Sequence, residues 1–549
     1  MKILSSPEMR RVESLSEKAQ GANAAEIYME NAGRGLARCV YNFFVSRLQK
    51  TVGDILLLCG KGNNAGDAYV CGRFLLDRGF AVKALQWGTL ASCSELCQLN
   101  YHRFLQSGGR VVSWDPTKKS DLLEQSTVVV DGLFGTGFSG VMKDEYRDLV
   151  RFINRAGVSV LSIDIPSGID GTLGLLGEDA IVAEETLVLG LPKLGLFLNQ
   201  AWNFVGHLQF VNFGLEESFI NEANAEAYLI TPQQAQSLIP KVSRDRHKYE
   251  AGSVTVWAGS PGMAGAAILS SHAALRAGAG IVRILHPRSI QSDLVIAPVE
   301  LIKISYELGD ETLLDKTVAE QKNERALDKI VKKLSSTKAC LLGPGLGTDP
   351  ALMQIFLQVI PQLKGPFVMD ADALNLYATS LHAKGQGEKI LTPKSSEGNM
   401  GCVMTPHLGE MHRLLGLKTK SKVSRSFLDL CLDFAREHDA VLILKGSPSF
   451  VLAPSGRIHV LSRGHPGMAT AGTGDVLAGM VAAFLSQGLA REEAAVLAAY
   501  LHARAGELAI EERSFYGMMA SDLLSKIPNA FCFSQFSKTC DLFLERMGE

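Results

Sequence analysis

The feature that most limits how this chain can fold is a rhythm. A short, almost wholly apolar run ends in a glycine-rich turn and is followed by a longer stretch with helical spacing, again and again along the sequence. DILLLCG (54–60) leads into GKGNNAGD and AYVCGRFLLDRG, and STVVVDGLFGTG (126–137) and VSVLSIDIPSG (158–168) repeat the motif. Unbroken apolar runs are strands covered on both faces, and strand–turn–helix repeats build a parallel sheet with helices on either side. Polar groups at the carboxyl ends of such strands converge on one crevice, so the chemistry is expected in the turns. The first series ends near HLQFVNFGL (207–215). The polar stretch EESFINEANAEAY (216–228) reads as a linker, with the boundary near residue 222. A second α/β series opens at SVTVWAGS (253–260), runs through KACLLGPGLG, GPFVMDADAL and AVLILKGS, and ends with the helix after AGTGD. Its turns differ from those of the first half, which makes it a second domain type and not an internal repeat. Residues 380–400 read as a polar surface loop, and the Phe-rich tail, 529–549, as a segment that packs back or meets another subunit.

At 549 residues the chain is too long for one ordinary core, and two large domains fit best. Lys and Arg number 55 against 57 Asp and Glu, so no broad basic field exists to recruit nucleic acid or anionic lipid. The ten cysteines contain no CxxC pair and several lie in apolar runs, which points to buried thiols in a reducing compartment. The opening segment reads as an amphipathic helix and not a secretory leader, and no charge-free apolar run approaches about 18 residues. A cytoplasmic enzyme of small-molecule chemistry is expected, with no membrane partner and assembly as a homo-oligomer.

In the first half three strand ends carry polar groups. Gly60–Asp67 places Asn63, Asn64, Ala65, Gly66 and Asp67 where backbone amides and a helix start favour an anion. It is neither a Walker A loop nor a GxGxxG fingerprint, and alone it is as well read as a plain turn. Asp131 leads into a second turn, Gly135, Thr136, Gly137, Phe138, Ser139, Gly140 and Val141, able to wrap a phosphate; Asp164 and Ser167 end a third strand. Oxygen ligands such as Asn64, Asp131 and Ser167 suit a hard cation and not zinc.

The ordered set MENAGRGLA, GKGNNAGD, DGLFGTGFSG, DIPSGID and GLPKLGLF resembles the NAD(P)H-hydrate epimerase domain over residues 1–220. The resemblance implies that the two glycine-rich turns hold a hydrated dinucleotide. It also implies potassium on Asn64, Asp131 and Ser167, with Asp164 at the reacting ring. Lys193, in PKLG, is a second polar group there unless it is a solvated surface lysine. Ala65 and Ala68 stand where that family more often has Gly, which puts the loop shape in question.

In the second half AGTGDVLAGM (471–480) sets two glycines and Asp475 before an apolar helix. Exposed amides there can stabilise a transferred phosphoryl group, and Asp475 can serve as base, although capping alone would also explain the residues. AGSPGMAGAA, GPGLG, MDADALN, MTPHLGE and LKGSPS occur in the order seen in ribokinase-like proteins. They are most similar to the ADP- or ATP-dependent NAD(P)H-hydrate dehydratases, over 228–528. That resemblance implies hydrate contacts at Ala266, Gly345, His407 and Asp475. It implies nucleotide contacts at Lys445, Gly446, Ser447, Pro448, Ser449 and Gly474, with ADP as co-substrate and a magnesium ion. His407 by itself would pass as a structural histidine.

The expected fold class is α/β, a Rossmann-like three-layer domain (1–222) followed by a ribokinase-like domain (228–528) and the tail. The expected activity is repair of hydrated NADH and NADPH (NADHX and NADPHX), the first domain exchanging the R and S hydrates and the second dehydrating the S form with ADP. The other reading open at this point is a small-alcohol kinase fused to a non-catalytic Rossmann-like module.

Overall fold

The computed structural model describes residues 1–21, 23–114, 122–123, 126–309, 315–383, 401–418 and 421–533. Most of the expected surface loop (384–400) and the tail beyond 533 lie outside these residues. The chain forms two compact units, Met1–Ala227 with Lys422–Arg425, and Tyr228–Ser421 with residues 426–533.

In the first unit a short strand, β1 (Lys2–Ile3), precedes the helix Ser6–Gln20, which starts where Ser5 Oγ accepts from the Glu8 amide and Pro7 sits in the first turn. Then come β2 (Asp54–Cys59), β3 (Ala81–Gln86), β4 (Arg110–Val112), β5 (Val128–Gly132), β6 (Ser159–Ile163), β7 (Glu185–Leu189) and β8 (His207–Val211). They form one parallel sheet in the order β4-β3-β2-β5-β6-β7-β8. Strand order reverses between β2 and β5, the place where open parallel sheets leave a crevice. Alternate residues feed opposite faces: Ile55, Leu57, Val128, Val130, Leu161 and Ile163 enter one apolar core, and Leu56, Leu58, Val129 and Val160 the other. This is the three-layer arrangement that the unbroken apolar runs predict.

Two details differ from the sequence reading. Asn63–Asp67 is the first turn of the helix Asn63–Leu76 and not a loop, and Ala65 and Ala68 are wholly buried on its inner side. Their methyl groups therefore pack into the core. Gly60 is indispensable to that turn, because a Cβ there would lie 1.9 Å from the Leu133 carbonyl oxygen. At the opposite, amino end of the sheet Glu185 opens β7, 2% exposed, with Oε1 lacking a hydrogen bond.

The second unit contains β9 (Ala227–Leu229), β10 (Ser253–Trp257), β11 (Ile281–Pro287), β12 (Ile302–Tyr306), β13 (Ala339–Leu342), β14 (Phe367–Met369), β15 (Cys402–Met404), β16 (Ala440–Leu444), β17 (Ser449–Leu452) and β18 (Ile458–Leu461). Their order is β9-β18-β17-β16-β15-β14-β13-β10-β11-β12, parallel except where β17 pairs antiparallel with β16 and β18. The expected linker is ordered: it holds the helix Glu217–Glu222 and the start of β9. At the other end the helix Ala520–Ala530 runs past Pro528, so the domain end expected at 528 falls inside a helix.

Of the nine described cysteines all are free thiols, eight buried and Cys532 exposed. No helix among the described residues is long and apolar enough to cross a membrane.

Candidate active sites

In the first unit the turns after β2, β5, β6 and β7 meet at the carboxyl edge of the sheet. Asp131, fully buried on β5, accepts from Ser167 Oγ (2.6 Å) and the Leu133 amide (3.2 Å) on one oxygen, and from Ser162 Oγ and the Ser167 amide (both 2.9 Å) on the other. Burial pushes its carboxyl up while these hydrogen bonds oppose the rise. Ser167 Oγ in turn accepts from the Phe134 amide at 2.9 Å, and the Asn64 side-chain amide donates to the Phe134 and Ile163 carbonyls at 2.7 and 3.2 Å. The three residues expected to hold potassium are thus one hydrogen-bonded cluster. Its side-chain and carbonyl oxygens fit a hard cation. Among the described residues no three His, Cys, Asp or Glu converge as a cage for a metal ion.

Asp164 follows β6 with φ +63°, in the left-handed region that costs a non-glycine residue about 1–2 kcal/mol. That turn points its carboxylate back at β7, where Oδ1 accepts from Lys193 Nζ at 2.5 Å and from the Leu189 amide at 3.1 Å. Lys193 also donates to the Leu189 carbonyl at 3.0 Å and is 1% exposed, so it is not a solvated surface lysine. Its peptide is clamped by Leu4, which donates to the Pro192 carbonyl and accepts from the Leu194 amide, both at 2.9 Å.

Beside this pair opens a cavity of about 620 Å³. Of the expected substrate contacts, Asn63, Asn64, Asp67, Gly135, Thr136, Gly137, Phe138, Ser139 and Asp164 line it. Ala65 and Gly66 are buried beneath it, and Gly140 and Val141 fall outside the lining, with Val141 70% exposed. The Phe134 and Phe138 rings stack at 5.1 Å as an apolar wall. The first helix supplies Arg10, Glu13 and Glu17, which sequence reasoning did not place there. Burial, then the neighbouring charges of Asp164 and Glu13, pushes Asp67 well above the carboxylate range. Burial likewise lifts Glu13 to about 7, with Lys193 opposing and Asp164 adding to the rise.

In the second unit most of the expected motifs also fall at the carboxyl ends of adjacent parallel strands. Gly259 and Ser260 follow β10, Gly343–Gly347 follows β13, Asp370 follows β14, Thr405–His407 follows β15 and Lys445 follows β16. Lys445 Nζ lies 2.9 Å from Asp370 Oδ1 and 3.8 Å from Glu410 Oε2, and Thr405 Oγ1 donates to the same Asp370 oxygen at 2.6 Å. Burial alone would lower the Lys445 ammonium, but the carboxylates of Asp370 and Glu410 outweigh it and hold it above its usual value. Asp475 sits in the first turn of the helix Thr473–Ser486, pushed up to about 7 by burial and then by the charge of Asp370, with Lys445 pulling the other way. A Cβ on Gly474 would lie 3.2 Å from Lys445 Nζ, which brings the GTGD turn against the lysine.

Ala266 and Gly345 are also neighbours, since a Cβ on Gly345 would lie 3.1 Å from that of Ala266. His407 caps the helix Leu408–Leu414: Nδ1 accepts from the Gly409 and Glu410 amides, and Glu410 Oε2 accepts from the His407 amide. It has the structural role that a lone histidine suggests, while its half-exposed ring leaves Nε2 3.4 Å from Glu410 Oε1. Ser449 Oγ donates to the Gly446 carbonyl at 2.9 Å, closing the LKGSPS turn, in which the Ser447–Pro448 peptide is cis. Asp370, Glu410 and the partly buried His502, which meets the Thr473 carbonyl at 2.9 Å, were not singled out from sequence. MDADALN and MTPHLGE carried a signal for the first two; an interior helical histidine gives none.

Comparison with known proteins agrees with this division. Residues 254–529 match the NAD(P)H-hydrate dehydratase family model and residues 25–195 match the YjeF-related protein N-terminus. The bifunctional NAD(P)H-hydrate repair enzyme of Moorella thermoacetica is 35% identical over 507 residues, 91% of each chain. That of Thermofilum pendens is 32% identical over 96% of each, and that of Escherichia coli 28% identical over 86% of this chain and 84% of its own. Among solved structures, an ADP/ATP-dependent NAD(P)H-hydrate dehydratase from Bacillus subtilis, co-crystallised with ATP and magnesium, is 23% identical with a TM-score of 0.43, covering 57% of this chain and 99% of its own. Both halves match in the same order across nine-tenths of the sequence, and the chain belongs to the bifunctional NAD(P)H-hydrate repair enzymes.

Proposed function

We propose that residues 1–222 interconvert the R and S hydrates of NADH and NADPH and that residues 228–528 dehydrate the S hydrate with ADP, releasing AMP and phosphate. The observation that carries this reading is the presence, at the strand ends of each unit, of its own lysine paired with a buried carboxylate. A single-site kinase joined to a passive binding module needs only one. The match of the second half to a dehydratase family also weighs against a small-alcohol kinase.

In the first site the two glycine-rich turns and the amides at the start of the helix Asn63–Leu76 hold the dinucleotide phosphates. The aromatic wall of Phe134 and Phe138 shields the ring, and Asp164 faces it. Asn64, Asp131 and Ser167 are the residues that would hold a potassium ion, which would supply a fixed positive charge to the site. Asp164, oriented by Lys193, stabilises positive charge on the ring nitrogen as the hydroxyl on the adjacent carbon departs.

In the second site the hydroxyl of the S hydrate is first phosphorylated, because hydroxide is a poor leaving group and phosphate a good one. Asp475 takes the hydroxyl proton, and its elevated proton affinity suits a base near neutral pH. Ala266, Gly345 and His407 contact the hydrate. Lys445, Gly446, Ser447, Pro448, Ser449 and Gly474 hold the nucleotide, and a magnesium ion bound with it would neutralise phosphate charge. The ring nitrogen lone pair then expels phosphate to leave a C=N cation, and loss of a proton from the next ring carbon to water restores the dihydropyridine.

The test is incubation of the purified chain with mixed NADH hydrates, with and without ADP. Recovery of NADH absorbance beyond the S fraction, only when ADP is present, is the expected result. A stable phosphorylated product without recovery would overturn the dehydratase reading.

A further inference from the structure

The cavity of the first unit is lined by four carboxyl groups, on Glu13, Glu17, Asp67 and Asp164, and the exchange proposed for it needs one that can give up and regain a proton. Asp164 is poorly suited. Its Oδ1 already accepts from a buried ammonium and a backbone amide, which fixes it as a charged acceptor. Asp67 lies 7% exposed in the first turn of a core helix. Glu13 differs from both, and of the two cavity-lining glutamates on its helix it is the one whose charge acts on Asp67. It comes from the helix Ser6–Gln20, lines the cavity and is partly open to it. It makes no hydrogen bond or ion pair among the described residues.

We infer that Glu13 is the proton-carrying group of the epimerase site, protonating the departing hydroxyl and recovering a proton from the water that returns. The inference rests on the epimerase reading of the first unit. As the C–O bond beside the ring nitrogen breaks, the nitrogen lone pair forms the C=N bond, and the Glu13 proton turns hydroxide into water. Addition of water to the other face returns the pair to nitrogen. The proton of that water passes to the Glu13 carboxylate through a second water, so charge and atoms balance over the cycle. The charged groups facing Glu13 are Lys193, Asp164, Glu17 and Arg10, and Asp67 senses its charge in turn. Together with burial they place its titration near pH 7, where both forms are populated.

The experiment uses the full chain and measures exchange of R and S NADHX by chromatography, with ADP-dependent dehydration of the S form in the same sample as the check on folding. Glu13→Gln should lower kcat for exchange about 100-fold or more. KM should stay within about threefold and dehydration should be unchanged. Glu13→Asp, which retains an acid on a shorter arm, should recover part of the rate and keep a pH dependence that the Gln variant loses. Exchange by the Gln variant at the wild-type rate, or a variant pH profile matching the wild type, would overturn the role of Glu13. Exchange absent from the wild-type protein would overturn the epimerase reading and this inference with it. Loss of exchange through KM alone would make Glu13 a binding group and overturn its proton role.

Discussion

Lys193 Nζ stands 2.5 Å from Asp164 Oδ1, and both side chains are withdrawn from water, the lysine to 1% and the aspartate to 8% exposure. A pair in such surroundings is strongly destabilising to break, because the surviving charge has no solvent to turn to. Lys193→Met should therefore cost the first unit about 3–5 kcal/mol in denaturant unfolding and abolish epimer exchange. An unchanged unfolding midpoint would show that the pair contributes nothing.

Asp164→Asn separates the two activities. With mixed hydrates and ADP the wild type should bring repair close to completion. The variant should show rapid recovery of the S fraction followed by a remainder set by slow spontaneous epimerisation. Asn tolerates the left-handed backbone at this position better than most residues, so the loss reports the carboxylate and not the turn. Completion at the wild-type rate would remove Asp164 from the mechanism.

The dehydratase should follow the titration of Asp475. With its proton held up to about 7, the basic form accumulates as pH rises. The expected kcat/KM climbs about tenfold per pH unit below 7 and levels above it. Asp475→Asn should abolish ADP-dependent NADH recovery across the whole range while leaving epimer exchange intact. A flat profile in the wild type would contradict a base with this titration.

Lys445→Ala should weaken ADP binding, read by calorimetry, and should also raise the Asp475 titration, because the lysine is the positive charge that opposes it. The activity limb near pH 7 would move to higher pH. Unchanged affinity would remove Lys445 from the nucleotide site.

Thermal unfolding of the first unit should rise by about 2–4 °C in potassium chloride relative to tetramethylammonium chloride at equal ionic strength, as for a ligand that binds only the folded state. Asp131→Asn should erase that difference. Equal midpoints for the wild type in both salts would remove the cation from the cluster of Asn64, Asp131 and Ser167.

Much of this was legible in the sequence because strand ends announce themselves. Asp131 and Lys445 each follow an apolar run and precede a glycine, and Asp164 and Ser167 stand in the turn that closes another such run at Gly168, so their convergence follows from parallel topology alone. Asn63–Asp67 misled because two asparagines and a glycine are poor helix formers; packing of their helix against its neighbours overrides that preference. Ala65 and Gly66 turn inward with that helix, which leaves only their backbone to meet a ligand. Glu13 gave no signal. It reaches the cavity from an amphipathic helix far away in the chain, and any glutamate in such a helix reads as part of its solvated face.

The placement of both sites at the carboxyl ends of their strands leaves the other end of each sheet free for engineering. Glu185, at the amino end of β7, is held to about 7 by burial, partly offset by Arg47. Its folded-state titration lies above the unfolded one, so the stability its neutral form allows is present at low pH and is lost as pH rises from about 4.5 to about 7. Glu185→Gln should raise stability by on the order of 2 kcal/mol at pH 8, have little effect near pH 4, and leave both turnover rates alone. An enzyme meant for prolonged cofactor recycling in a warm reactor at mildly alkaline pH would gain working lifetime from this substitution, far from any residue that touches the hydrate.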